Sequence, residues 1–238
     1  ALALIGFVIF YPVVAGIALS FTDRTLVSPL ARWVGAANYR EFFGSVEART
    51  ALWHSVQLTV AVVVLQYGLG LGLAFLLLQP VRGIGFFRSV TMASWVIPVV
   101  ATVLMFEWMA EPNHGFFNVL LESVGLGRYA TYWFGSERWA MPMILLMHLW
   151  RNVPFYGIAL MAAMQSIPRE LYEAADLDGA ARWARFVHVT WPGIRYLSMV
   201  MVVIHVLWTF NNFDFVYLST GGGPVDATLV LPVWVYRR

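Results

Sequence analysis

Residues 55–79 read SVQLTVAVVVLQYGLGLGLAFLLLQ, a run without one charged side chain. A helix needs about 20 apolar residues to cross a bilayer core about 30 Å thick, and this run is long enough. Apolar stretches of similar length lie on both sides of it along the chain. Together they predict five membrane-spanning helices: Leu2–Phe21, Ser55–Gln79, Ser89–Met109, Trp139–Ile167 and Tyr196–Leu218.

The composition indicates the same class of protein. Hydrophobic residues make up 60% of the chain and charged residues 12%, whereas a soluble domain has about 25% charged residues. The net charge is +2 and every basic residue is Arg, so there is no basic patch for nucleic acid. The absence of Cys excludes disulfides, thiolate metal sites and Cys nucleophiles. The sequence therefore predicts an all-α polytopic membrane protein.

The loops between the predicted spans differ in length. Residues 22–54 and 110–138 are long, whereas 80–88 form a short turn. Six Arg lie on the side of 80–88 and 168–195 and eight on the other side, so charge does not decide which side faces the cytoplasm. The chain starts at Ala1 inside an apolar run, which predicts that a cytoplasmic flank is missing.

The segment between the fourth and fifth predicted spans carries helix signals. Ser166 followed by Pro168 indicates a helix start, and Gly179 fits the left-handed position that ends a helix. A second helical piece is predicted at 180–186. One narrow face of the first helix holds mostly small residues at helical spacing: Leu171, Ala174, Ala175 and Asp178. The residues alone leave two interpretations open, a docking unit or an ordinary amphipathic helix at the membrane surface.

This segment resembles the signature loop of a known family. Glu173-Ala-Ala, three residues, Gly179, nine residues and Val189-Thr-Trp191-Pro192 resemble the E-A-A-x3-G-x9-I-x-L-P loop of binding-protein-dependent ABC permeases. Val and Trp replace the usual Ile and Leu. Matches to the sugar-importing, maltose-permease-like branch cover the whole chain: Tyr11-Pro12, Ser20-Phe21-Thr22, Val34-Gly35, Asn38-Tyr39, Arg82-Gly83, Phe87-Arg88, Gln165–Tyr172 and Leu218–Pro224. We call residues 166–192 the E-A-A segment.

The resemblance implies a type-1 ABC importer permease, multi-pass in the bacterial cytoplasmic (inner) membrane, with a sixth span beyond Arg238. It implies a first span and periplasmic segment at 1–50 and a transmembrane core at 51–238, with a cytoplasmic coupling loop at 168–192. Contacts with the ATPase are implied for one group of residues: Glu173, Ala174, Ala175, Asp178 and Gly179.

The resemblance also implies partners. These are a second permease, two cytoplasmic ATPase subunits, an extracytoplasmic solute-binding protein, a sugar-like solute and membrane lipid. ATP and Mg are expected on the ATPase subunits, because this chain has no G-x-x-x-x-G-K-[ST] loop to hold phosphates. The chain itself is expected to be neither an enzyme nor a metal protein, since its His residues show no ligand spacing.

Polar side chains inside the last two predicted spans are candidates for a solute site. They form two stripes at helical spacing: His148, Arg151, Asn152 and Phe155, and His205, Trp208, Asn212 and Phe215, with Asn211 adjacent. The resemblance implies sugar contacts at Asn152, Phe155, Thr209, Asn211 and Asn212, and amides suit sugar hydroxyls because they donate and accept. The candidate solute-binding set is therefore Asn211, Asn212, Thr209, Trp208, Asn152, Phe155 and Arg151. The expected solute is a sugar or a related oligosaccharide, polyol or glycerol phosphate.

Other intramembrane residues have more than one interpretation. Gly68, Gly70 and Gly72 favour close helix packing over a nucleotide loop, because they lie inside a span. Arg151 needs a partner or water at this depth, and Asp214 is a candidate partner.

Two rival functions remain. An ion-gradient-driven secondary transporter would use Asp214, Glu107 and Arg151 as a relay, but it leaves the E-A-A segment unexplained. A scaffold subunit that moves no solute leaves the polar stripes without a purpose.

Overall fold

The computed structural model describes residues 2–24 and 31–238, and these residues are almost entirely helical or in turns, with one isolated bridge between Thr22 and Trp33. The all-α prediction is confirmed. The helices are α1 (Leu2–Leu19), α2 (Ala37–Gly44), α3 (Val46–Leu77), α4 (Ile84–Val96), α5 (Val99–Met109), α6 (Phe116–Ser123), α7 (Ala140–Gln165), α8 (Arg169–Leu177), α9 (Arg182–Arg185), α10 (Trp191–Phe210), α11 (Asp214–Ser219) and α12 (Leu231–Arg237). A 3-10 turn, Gly127–Tyr129, and a π-helical turn, Phe186–Thr190, complete the set.

The helices form two compact units, 1–50 and 51–238. In the first unit, Asn38 on α2 ties down the end of α1. Its amide donates to the backbone oxygens of Ser20 (2.9 Å) and Thr22 (2.8 Å), and the hydroxyls of Ser20 and Tyr39 lie 2.6 Å apart. These bonds give a physical reason for the Ser20-Phe21-Thr22 and Asn38-Tyr39 matches, because they satisfy backbone groups that α1 leaves unpaired where it ends. Part of the predicted 22–54 loop lies outside the described residues.

The second unit is built around α7, which passes through two separate apolar clusters. Its first half packs Ile144 and Met147 into one cluster with α3, α5, α11 and α12. Its second half packs Tyr156 and Leu160 into the other, with the last turns of α3 and with α10. Between the clusters, residues 148–155 bring the polar side chains of α7 into the interior. This polar layer is where a hydrophilic solute site has to be sought.

A close approach of α3 and α7 sets the spacing of the second cluster. A Cβ added to Gly70 would lie 2.3 Å from the Cβ of Tyr156, whereas Gly68 and Gly72 face open space. Gly157 on α7 is equally tight, since its added Cβ would lie 2.7 Å from the Cγ of Leu73. The prediction of close packing is therefore confirmed for Gly70 and wrong for its two neighbours, because one face of a helix cannot present residues two apart.

The third predicted span, Ser89–Met109, is not one helix. It is broken at Ile97 and Pro98 into α4 and α5, whose axes are bent by 95°. Proline disfavours the helical conformation of the residue before it and has no N–H to donate, and Ile97 is accordingly extended (φ −62°, ψ 131°). The predicted span took only Glu107 as an interruption, whereas Pro98 is the residue that breaks it.

The fifth predicted span, Tyr196–Leu218, also differs from the prediction. The helix starts earlier, since α9, the π-helical turn and α10 form one continuous helix, Arg182–Phe210. It stops at Phe210, and α11 begins after a break at Asn211–Phe213. The reason lies in two amide side chains, which bond the nearby backbone and so compete with helix continuation. The stripe from His205 to Phe215 is thus not a stripe on one helix.

By length and composition, two described helices can each cross a membrane: Val46–Leu77 and Arg182–Phe210. The bent pair α4–α5 counts as a third if it is one span. The predicted total of five spans goes beyond these and stays a prediction.

The long segment 110–138 has its own ordered core around Asn118, whose side chain is 2% exposed. Its amide donates to the backbone oxygens of Pro112 and Thr131, and its oxygen accepts from the indole of Trp133. At the start of the segment, backbone N–H groups of His114 and Asn113 donate to the Glu111 carboxylate and hold its pKa below the usual value. The segment is therefore an ordered part of the fold rather than an irregular loop.

Candidate functional sites

The helix of the E-A-A segment ends in a complete Schellman motif. The N–H of Gly179 donates to the oxygen of Asp176 (3.1 Å), and the N–H of Ala180 donates to the oxygen of Ala175 (2.9 Å). Gly179 has a φ of +70°, the left-handed conformation that the sequence predicted for it. The sharp reversal places α9 directly after α8, so the predicted helix–Gly–helix unit is present.

The helix starts differently from the prediction. Pro168 is the N-cap residue of α8, with φ −55° and ψ 134°. Ser166 belongs to the end of α7, where its hydroxyl donates to the oxygen of Ala163 at 2.7 Å. The linker between α7 and α8 is short, and the Ser166 hydroxyl bonds the nearer carbonyl, which belongs to α7.

Two polar contacts attach α8 to the rest of the E-A-A segment. The hydroxyl of Tyr172 lies 3.0 Å from that of Thr190, which is buried in the π-helical turn. The carboxylate of Asp176 forms an ion pair with Arg185 on α9. The π-helical turn comes directly before Pro192, whose missing N–H a wider turn accommodates. These contacts fix α8 against the end of the long helix.

The rest of the surface of α8 is exposed and partly apolar. Glu173, Ala174 and Asp178 are exposed, as predicted for a docking face, whereas Ala175 is half-buried. Leu171 is 51% exposed and Leu177 is 90% exposed. Leu177 was not among the predicted ATPase contacts. Its position directly before the helix end and off the buried face could have indicated an exposed apolar contact.

In the polar layer, Arg151 donates a hydrogen bond to a backbone oxygen at the break in the third predicted span. Its Nε donates to the oxygen of Ile97 at 3.3 Å, and a second guanidinium nitrogen lies 3.5 Å from the Oδ1 of Asn152. The oxygen of Ile97 is the kind of backbone acceptor that a broken helix leaves without a partner inside a membrane. Within residues 2–24 and 31–238 neither Arg151 nor Asp214 forms an ion pair, so Asp214 is not the partner of Arg151.

The side chains behind Arg151 form a buried polar cluster of Gln66, His148 and His205. They come from α3, α7 and α10 and are at most 3% exposed. The Nε2 of Gln66 donates to the oxygen of His148 at 3.1 Å, and so does the Nδ2 of Asn152 at 3.0 Å. The Oε1 of Gln66 and the Nε2 atoms of both His residues have no protein partner among the described residues. These free polar atoms make the layer hydrophilic in a way that simple helix packing does not require.

An aromatic row crosses the same layer. Trp95 on α4 stacks on Phe155 at 5.2 Å between ring centroids, Phe155 lies 5.9 Å from His205, and His205 lies 5.2 Å from Trp208. The row connects three helices. Aromatic faces and free amide or imidazole groups side by side suit a ligand with alternating apolar and hydroxyl-bearing surface.

The remaining predicted contacts lie where α10 ends. Thr209 is buried, whereas Trp208 is 59% exposed and Asn211 is exposed. The amide of Asn211 donates to the oxygen of Leu207 at 2.8 Å, and the Oδ1 of Asn212 accepts from the N–H of Phe215 at 3.2 Å. Asn212 therefore caps the start of α11. Asn211 and Asn212 each have remaining hydrogen-bonding capacity for a ligand.

The structure thus brings together the predicted Arg151, Asn152 and Phe155, and it adds Trp95 and Gln66, which were missed. Gln66 lies near the middle of the run that predicted a span, where a polar residue is a usable signal. Trp95 had no such signal, because aromatic residues are common in spans and at their ends.

Comparison with known proteins adds an independent observation. A family model described as "Binding-protein-dependent transport system inner membrane component" matches residues 66–238, which include both the polar layer and the E-A-A segment. The chain belongs to this family. The resemblance carried by the E-A-A segment is confirmed, and so is the placement of the protein in the inner membrane.

Curated relatives match the inner membrane component over nearly its whole length. This chain is 32% identical over 239 residues to the sulfoquinovosyl glycerol transport system permease protein SmoG of Agrobacterium fabrum, and the match covers 100% of this chain and 77% of the relative. It is 33% identical over 231 residues to the diacetylchitobiose uptake system permease protein DasB of Streptomyces coelicolor, covering 95% and 70%. The trehalose/maltose transport system permease protein MalF of Thermococcus litoralis is 30% identical over 233 residues, covering 96% and 77%.

A solved structure agrees on the fold. The inner membrane component superposes with a TM-score of 0.81 on a chain of a bacterial ABC transporter involved in the import of the acidic polysaccharide alginate. The identity is 22%, with 99% of this chain and 80% of that chain covered. The permease fold predicted from the sequence is therefore confirmed.

Proposed function

We propose that this chain is one permease subunit of an ATP-driven importer, that the polar layer lines its solute path, and that the E-A-A segment transmits the work of ATP hydrolysis to it. The chain itself makes and breaks no bond. Its partners are a second permease, two cytoplasmic ATPase subunits that hold ATP and Mg, and an extracytoplasmic solute-binding protein.

One observation carries the proposal. Helix α8 is anchored on one side by Tyr172 and Asp176, whereas Leu171, Glu173 and Leu177 on the rest of its surface are exposed. The exposed Leu171 and Leu177 on this anchored helix offer apolar area that a protein partner can bury. A helix that only lies on the membrane surface would not need an acidic residue such as Glu173 one turn before the exposed Leu177.

The solute class we propose is a sugar or a related polar solute: an oligosaccharide, a polyol or a glycerol phosphate. Support comes from the names of the relatives, which refer to sulfoquinovosyl glycerol, diacetylchitobiose and trehalose/maltose. It also comes from the polar layer, where Trp95 stacks on Phe155 and Asn152 lies three residues before Phe155 on α7. Arg151 adds a positive charge that suits a solute with a phosphate or sulfonate group.

Reconstituted uptake tests the proposal. The four-subunit complex in proteoliposomes should take up radiolabelled trehalose-type or glycerol-conjugate sugars only when ATP is inside and the binding protein outside. Uptake driven by a proton or sodium gradient without ATP would establish the secondary transporter instead. Complexes that hydrolyse ATP and move no solute under any condition would favour a scaffold.

Orientation is part of the proposal and has its own test. We propose that 80–88 and 168–195 face the cytoplasm and that 22–54, 110–138 and 219–238 face outward. The chain has no native Cys, so single introduced Cys residues can be labelled without background. Ala181→Cys, which is exposed, should react in inside-out vesicles and not in intact cells, and exposed Tyr132→Cys should behave in the opposite way. Labelling of Ala181→Cys from outside would reverse the arrangement.

A further inference from the structure

An open groove of about 810 Å³ lies between the end of α3 and the E-A-A segment, and Tyr172 and Thr190 are part of its lining. Its floor consists of Leu71 and Phe75 from the last two turns of α3, and its wall is Phe186 at the start of the π-helical turn. The rings of Phe75 and Phe186 lie 6.1 Å apart. Ligand pockets are about 300–1,000 Å³, so the groove can hold part of an extended molecule. Its lining is overwhelmingly apolar, which favours a hydrocarbon chain over a sugar.

The mouth of the groove is basic and aromatic. Arg182 and Arg185 both line it, together with Trp183, which is 73% exposed. Arg185 is already engaged by Asp176, whereas Arg182 is exposed and forms no ion pair within the described ranges 2–24 and 31–238. An Arg guanidinium binds a phosphate through two parallel hydrogen bonds, and Trp prefers the headgroup level of a bilayer.

We propose that this groove binds one anionic phospholipid of the cytoplasmic leaflet, with an acyl chain along Leu71, Phe75 and Phe186 and the headgroup phosphate on Arg182. The placement in that leaflet rests on the orientation proposed above. Charge complementarity argues for this occupant, because a free Arg beside an apolar groove at a helix end matches a molecule with an anionic head and a hydrocarbon tail. A bound lipid would fill the space between α3 and the base of α8, and so stiffen the coupling segment.

Lipid retention measures this directly without any transport assay. The assembled complex is exchanged into nanodiscs of dioleoyl phosphatidylglycerol or dioleoyl phosphatidylcholine, and retained lipid is counted by native mass spectrometry after detergent release. We expect one phosphatidylglycerol per copy of this chain and no retained phosphatidylcholine. Arg182→Gln should weaken retention about fivefold, since one basic residue near an anionic surface contributes about that factor. The matched control is Arg82→Gln, an exposed Arg on the same side that does not line the groove.

A second variant tests the apolar part of the groove independently of the headgroup contact. Leu71→Trp should fill the groove and abolish retention while leaving complex yield unchanged. Equal retention in Arg182→Gln and Arg82→Gln, or full retention in Leu71→Trp, would overturn the proposal. So would a photo-crosslinking residue in place of Trp183 that captures an ATPase subunit or the second permease instead of lipid. Loss of lipid retention in a complex that still transports would not contradict the proposed function. Lipid retention in a complex that does not transport would not contradict the lipid site.

Discussion

The E-A-A segment and the polar layer differ in how far apart along the chain their contacting residues are. In the E-A-A segment the hydrogen bonds join neighbours: Asp176 and Arg185 are 9 residues apart, and Tyr172 and Thr190 are 18 apart. In the polar layer Arg151 bonds a residue 54 positions away, and Gln66 bonds one 82 positions away. The first region is a local structure that keeps its shape through its own sequence. The second exists only when α3, α4, α7 and α10 have packed.

This difference teaches that the two regions should fail in different ways. Damage to the E-A-A segment should leave the transmembrane unit folded and remove communication with the ATPase. Damage to the polar layer should affect folding and solute transfer together, because the same side chains hold helices and line the path. The four predictions below test that separation.

The largest effect is expected for Gly179→Asp. A residue with a Cβ at φ +70° costs about 1–2 kcal/mol, which lowers the population of the docked geometry about tenfold. We expect uptake to fall about tenfold while ATP hydrolysis persists and complex yield stays normal. Uptake and hydrolysis measured in the same proteoliposomes check this.

Gly125→Asp is the matched control for that variant. Gly125 has φ +77°, ends α6 in the same Schellman pattern and also has open space at its Cβ position, but it lies in 110–138. The two variants carry the same backbone strain on opposite sides of the proposed topology. Equal losses of coupling in both would contradict a specific role for the E-A-A segment.

The same difference explains what the sequence could predict. The Schellman end at Gly179 follows from one glycine and a few neighbours, so it could be read directly. The break at Pro98 is equally local, because a proline inside an apolar run indicates it, but the prediction of a single span did not take it into account. The stop at Asn211 is harder, because Asn inside an apolar run is compatible with a continuing helix until the local backbone bonds of Asn211 and Asn212 are known.

The polar layer could be predicted only as separate stripes. Helical spacing placed His148, Arg151 and Asn152 on one face, but nothing in that spacing identifies the oxygen of Ile97 as the partner of Arg151. Asp214 was chosen because opposite charges attract, whereas the structure places Arg151 on a carbonyl that a broken helix had exposed. Partners of this kind depend on how helices pack, which one sequence does not reveal.

The second prediction concerns the packing that assembles the polar layer. Gly70→Ala would place a Cβ 2.3 Å from that of Tyr156, and overpacking of this kind costs about 1–3 kcal/mol. For a chain of this size that lowers the apparent Tm of the purified complex by roughly 2–4 °C per kcal/mol. Gly72→Ala on the same helix meets open space and should leave the Tm unchanged or slightly higher. Identical shifts for the two variants would mean that α3 and α7 are not in this close contact.

The third prediction tests the broken span. Arg151→Met removes the donor to the oxygen of Ile97, and an unpaired buried acceptor costs about 1–3 kcal/mol. We expect a lower apparent Tm together with reduced uptake per complex, and partial rescue of both by Arg151→Lys, which restores a donor. Arg195→Met serves as the control, because Arg195 is exposed and its guanidinium bonds the hydroxyl of its neighbour Tyr196. A destabilisation as large at Arg195 as at Arg151 would show that loss of any Arg has this effect.

The smallest effects are expected at Asn211 and Asn212, where folding and solute contact can be separated. Asn211 is exposed and its amide bonds the oxygen of Leu207 in the last turn of α10, so Asn211→Ala should leave yield intact and lower uptake a few fold. Asn212 both caps α11 and is proposed to contact solute, so Asn212→Ala should lower yield through a lost cap of about 1 kcal/mol and lower uptake as well.

Asn212→Asp separates the two roles of Asn212, because Asp keeps the capping oxygen and loses the amide donor. It should therefore restore the yield of the complex but not the uptake per complex. If Asn212→Asp restores both, then Asn212 only holds α11 in place and the solute contact must be sought in the row formed by Trp95, Phe155 and His205. Initial uptake rates normalised to the amount of assembled complex decide between these outcomes, since they are independent of how much complex each variant yields.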